Sequence, residues 1–309
     1  MNHKFLYFIV FIALVLNGLT SCNSCSRSED FVIPDEILTD NSALKISSNV
    51  MTEMVDNISS PIEMASLMKT LNVPFSQKYL ASTKNTSSYN TGHEKAFNLG
   101  IFGCDLGYLN MYGRTSLVLD YITAMKNLAD GINVGQFFDF STLKRLATNN
   151  QNIDSLVFIS QQSFNRMDKY LQKNNRGNLS ILMVSGVWVE GLYLSAQFLK
   201  ERPQEKRLAE SICEQKVLLG ELLILLNNFN QEKYIAAVAD ELFALKKVYD
   251  EITISIERGE PQAVEVDGVL TIKQNEISTV HYTDEQMQTI VDLAENIRNK
   301  LIKQQNTNP

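Results

Sequence analysis

From Ser42 onward, apolar residues recur in steps of three and four almost throughout, the spacing of one helical face. Ile235, Val238, Leu242, Leu245, Tyr249, Ile252 and Ile256 form one such stripe and predict a helix over 231–256. Met287, Ile290, Ala294, Ile297 and Leu301 repeat it, and Ile153, Val157, Phe164, Met167 and Leu171 make a third. Segments 95–129, 179–200 and 215–226 are apolar nearly all round, which predicts central helices covered on more than one side. Two start signals support the pattern. Ser60-Pro61-Ile62-Glu63 joins a capping serine, a proline at the first helical position and a glutamate to bond back; Thr283-Asp284-Glu285-Gln286 repeats the box. In Ala263–Ile272, β-branched residues flank Asp267-Gly268, the sign of a two-residue hairpin turn. A lone hairpin is marginal in water, so it must lean on the helices, as a cover or as the lip of a pocket. No repeat near 34 or 40 residues holds. The expected fold is therefore all-α: an irregular multi-helix bundle or helical-hairpin array of about seven to nine helices, with a small β-hairpin near 263–272.

The first residues follow another rule. Phe5 to Leu16 is apolar at every position, too short for the roughly 20 residues that a helix needs to cross hydrocarbon. Asn17 and Gly18 break the run, and Leu19-Thr20-Ser21-Cys22 follows. This box resembles the lipobox of bacterial prolipoproteins. The resemblance implies that residues 1–21 are a signal peptide removed before Cys22. It also implies that the Cys22 sulfur receives a diacylglycerol, and that fatty chains such as palmitate hold the protein in a membrane of the cell envelope, expected to be the outer membrane. Each buried methylene contributes about 0.8 kcal/mol, so two or three chains hold where one does not. Residues 22–41 are polar and broken by Pro34, and read as a flexible tether before a helical domain over 42–309. About 20 extended residues reach about 60 Å. Glu29-Asp30 resembles the acidic signal that displays Bacteroidota lipoproteins on the cell surface, but Arg27 interrupts it, leaving periplasmic and outward facing both open.

Charge narrows the partners. The chain carries 28 Lys+Arg against 35 Asp+Glu, and its basic residues are scattered, which argues against nucleic acid. The expected partners are the membrane, through the lipid, and a protein of the envelope. Cys104 and Cys213 each sit in an apolar helical pattern and read as small buried hydrophobes, with mutual pairing as the alternative. His93-Glu94 lacks the second histidine of a zinc helix, and His93 and His281 read as surface or capping residues. No nucleophile elbow, phosphate loop, dinucleotide fingerprint or paired Glu-x-x-His appears. No metal, cofactor or catalytic activity is therefore expected.

The most informative interior stretch is Phe97–Tyr108. At about 100° per residue, Gly100, Gly103, Cys104, Gly107 and Met111 share one face, where small residues let another helix approach. Asp105 lies on another side with Ile101, Tyr108 and Tyr112, where its carboxylate must pair or take up a proton. Asn98-Leu99-Gly100 with the aspartate and following tyrosine resembles a segment of all-helical Bacteroidota lipoproteins, which implies an all-α fold and brings no activity with it. Glu190 has a similar setting, with Tyr193 three residues on. In one reading, Asp105 and Glu190 face one cavity lined by Tyr108, Tyr112 and Tyr193 and hold a cation or small polar ligand. In the other, each carboxylate is satisfied locally by a tyrosine hydroxyl, an arginine such as Arg114, or a backbone group. Glu221, between Glu214 and Asn228, is expected to face water. The functional expectation is a non-catalytic binding or scaffold module, with a carrier pocket near Asp105 and Glu190 as the alternative.

Overall fold

A computed structural model describes residues 71, 73–147, 153–259, 262–266, 269–273 and 276–303. The lipobox, the tether and the helix start at Ser60 lie outside the described residues. The fold is all-α with small two-stranded antiparallel β pairs before its last described helix. In chain order the helices are α1 (Gly92–Met111), α2 (Thr115–Gly131), α3 (Phe140–Ala147), α4 (Ile153–Lys173), α5 (Gly177–Glu201), α6 (Lys206–Asn227), α7 (Lys233–Asp250) and α8 (Asp284–Lys303). Before α1 come two 3-10 turns, Gln77–Tyr79 and Thr83–Ser88. At the start of α8 the expected capping box forms: Thr283 N–H donates to Gln286 Oε1 at 2.8 Å, and Gln286 N–H to Thr283 Oγ1 at 3.2 Å. A second box, Thr91 with Glu94, starts α1.

The hub is α5, which packs against α1, α4, α6 and α8. It is long and apolar enough to cross a bilayer, yet 89% of its apolar window is buried inside the protein, so it is a core helix. Its closest neighbour is α1. A Cβ on Gly100 would lie 1.9 Å from the Met183 carbonyl oxygen, and one on Gly186 2.0 Å from that of Phe97, so the two backbones touch there. The small-residue face of α1 does not act as one unit. Gly103 meets the Phe164 ring of α4, and Gly107 has nothing within 4 Å. The apolar run 95–129 is cut by a turn at Gly113, whose φ of +62° suits glycine.

One expectation is corrected. The 231–256 stripe is helical only to Asp250; β1 (Thr253–Arg258) follows and pairs antiparallel with β4 (Glu276–His281). Ile252, Ile254 and Ile256, with Thr253 and Ser255 between them, also read as period two, and their β-branching favours the strand. The expected hairpin strands are present, as β2 (Gln262–Val266) paired antiparallel with β3 (Val269–Lys273), and β1–β4 forms a second two-stranded sheet. The β1–β4 pair leans on the core through Ile254 and Val280. Cys104 and Cys213 are buried and free, so the alternative that they pair is set aside.

Candidate functional site

Asp105, Tyr108 and Tyr112 stand at i, i+3 and i+7, which places them along one side of α1. That side holds main chain. Leu71 and Val73–Ala81 form a strap running antiparallel to α1, with a main-chain hydrogen bond of their own from Leu80 N–H to Gln77 O. Pro74 keeps Val73 out of helical geometry. Main-chain polar groups in such a segment must find other partners, and side chains of the bundle supply them. Tyr112 Oη donates to Val73 O at 2.6 Å, Ser76 N–H donates to Tyr108 Oη at 2.9 Å, and Ala81 N–H donates to Asp105 Oδ2 at 2.9 Å. Tyr121 Oη of α2 donates to Ala81 O at 2.5 Å. Arg202, just past α5, donates to Leu71 O at 2.5 Å, and Arg298 of α8 to Tyr79 O at 3.2 Å. Val73, Tyr79 and Ala81 are buried, and the Phe75 ring stacks on Tyr108 at 5.3 Å.

The floor of this groove is charged. Glu190, at the centre of α5, is 0% exposed and takes a two-pronged grip from Arg298, Nε to Oε2 and Nη2 to Oε1, both at 2.8 Å. The guanidinium lies over the Tyr193 ring, 4.4 Å from its centre. Burial works against the Arg298 charge, but the attraction and hydrogen bonds of Glu190 raise its pKa. Asp105, also 0% exposed, lies within hydrogen-bonding reach of Glu190, and its Oδ1 has no donor facing it. Two carboxylates against one guanidinium would leave an unbalanced negative charge in a dry interior. Burial first, and Glu190 second, push the Asp105 carboxyl well above the usual carboxylate range. The guanidinium faces Glu190, so Asp105 is the acid that burial drives toward its protonated form.

This state has a consequence for stability. In the unfolded chain Asp105 titrates near pH 4; folded, it keeps its proton to higher pH. The native state then binds more protons, so its stability is full below the unfolded value. It falls as pH rises toward the folded value, by up to about 1.4 kcal/mol per pH unit. Asp105→Asn keeps an acceptor for Ala81 and a donor for Glu190 without the proton. Denaturant titrations from about pH 5 to about pH 8 should show this slope in the wild type and its loss in the variant; equal slopes would mean that Asp105 is charged in the fold.

Of the five residues singled out in the sequence, Asp105, Glu190 and Tyr193 gather at Arg298, while Tyr108 and Tyr112 lie further along α1 against Val73, Phe75 and Ser76. Arg114 is not the partner of Asp105; it lies over the Phe75 ring at 4.7 Å. Arg298 was missed because it stands 108 positions from Glu190, and its only local mark is a charge beside Ile297 on the buried side of α8. Glu221, expected to face water, is half-buried: its Oε2 is shut away without a partner, and burial raises its pKa. His93 is half-buried rather than a plain surface residue. Its Nε2 meets Glu232 Oε2 at 2.5 Å, its ring stacks on Tyr234, and Asn178 donates to the same carboxylate at 3.0 Å. His281 is exposed at the end of β4, opposite Thr253. Among the described residues, no group of three or more His, Cys, Asp or Glu side chains is placed to hold a metal ion. Compared with family models, curated proteins and solved structures, the chain matches none of them.

Proposed function

We propose that this chain is a lipid-anchored protein of the cell envelope, held at the outer membrane through Cys22. In this reading it acts as a non-catalytic binding module, and its working surface is the groove on α1 that holds the strap. The observation that carries the reading is the kind of bond in the groove: side chains from several helices address main-chain atoms of a non-helical segment. Main-chain recognition accepts any peptide of matching shape, while side-chain pockets select among them. The strap fills the groove in cis, and an extended segment of an envelope protein is the partner that fits it in trans. A cation carrier at Asp105 and Glu190 is the weaker reading, because the cation that these carboxyls hold is Arg298.

Two measurements test it. Cys22→Ser should move the protein from membrane to soluble fraction and stop uptake of labelled palmitate. In the groove, Val73→Asp with Tyr79→Ala weakens the cis strap, since both side chains are buried. A labelled peptide with the sequence of residues 71–81 should then bind saturably, and a scrambled one should not. No binding to that variant, folded by circular dichroism, would reduce the groove to a structural joint.

A further inference from the structure

The strap closes over the sealed charges beneath it. Its Tyr79 carbonyl rests on Arg298 and its Ala81 N–H on Asp105, and Tyr79 and Ala81 are only 4% and 3% exposed. The core around α5 does not depend on those two contacts: the Gly100–Gly186 backbone crossing and the Glu190–Arg298 pair lie between helices. Lifting the strap therefore lets water reach Asp105 without taking the helices apart.

We propose that the joint between strap and groove is a proton-operated latch: the strap is held while Asp105 carries its proton, and loss of that proton to water favours the open groove. The inference rests on reading the groove as a reversible binding site, and it names what regulates that site. In the closed state the Asp105 O–H bonds to Glu190, and Arg298 balances the single carboxylate that remains. In the open state Asp105 is hydrated and gives its proton to solvent. Closing again would bury two carboxylates against one guanidinium, which the dry interior resists. The other titratable groups that face Asp105 and Glu190 do not compete. Burial raises the Cys104 thiol on α1 and the Tyr121 hydroxyl on α2, and pushes Tyr89 and Tyr193 up to about 12. Acid shuts the latch, and alkali lets it open.

Amide hydrogen exchange, read residue by residue by NMR on the full chain, tests this. After correction for base-catalysed intrinsic exchange, protection at Ser76 and Ala81 should fall, by up to about tenfold per pH unit, as pH rises from about 5 toward the raised Asp105 value. Amides in the middle of α5 should keep theirs. Asp105→Asn should flatten the strap profile. Glu190→Gln should also flatten it, by leaving Asp105 as the sole carboxylate for Arg298; it is the second variant if the first does not fold. Strap opening that is separate from α5 but indifferent to pH would overturn the latch and leave the binding reading standing. Strap amides that exchange only together with α5 would overturn both, because the groove would then never open in the folded protein.

Discussion

Arg298→Ala is expected to cost about 3–5 kcal/mol, because it leaves Glu190 buried without a counter-charge and Tyr79 O without its donor. For a domain of this size that lowers the melting temperature by roughly 10 °C or more. In denaturant titrations the midpoint should fall at an unchanged slope. Much of the loss comes from stranding the acid, so the double variant Arg298→Met with Glu190→Leu should recover a good part of it. The recovery would also remove the charge that raises Asp105. A loss under about 1 kcal/mol for the single variant would mean that water reaches Glu190, contrary to the sealed pair described above.

Gly100→Ala and Gly107→Ala make the same chemical change seven residues apart on α1, and they should move stability in opposite directions. At Gly100 the new methyl would meet the Met183 carbonyl oxygen at 1.9 Å and the Val187 nitrogen at 2.8 Å. Both are helix backbone and cannot rotate aside, so α1 and α5 must part. Overpacking with no soft neighbour belongs at the top of its usual range, about 3 kcal/mol or more. At Gly107 the methyl meets nothing within 4 Å, and alanine is the better helix former by about 1 kcal/mol. The pair of midpoints, measured side by side, decides whether the crossing is as close as described. Equal effects would place the α1–α5 contact elsewhere.

Read against these residues, the sequence carried the local physics and little of what lies between distant elements. The stripe on α8 and the cap at Thr283 depend on neighbours three or four positions away, and both were readable. So was the antiparallel pairing of β2 with β3 on either side of Asp267-Gly268. At Ile252–Ile256 two periods fitted the same few residues, and only pairing with β4 chose the strand. Gly100 and Gly107 were indistinguishable in the sequence, since each is a glycine on one helical face.

The candidate site divides in the same way. Helical spacing alone put Asp105, Tyr108 and Tyr112 on one side of α1, and flagged Glu190 as an acid stranded in an apolar helix. It named the residues that needed partners. The partners themselves came from far along the chain: Arg298 for Glu190, Ala81 for Asp105, Val73 for Tyr112. A periodic pattern depends on rotation about one helix axis, so it survives in the order of residues. Which donor reaches a buried acceptor depends on where every other helix comes to rest, and only the packed structure settles that.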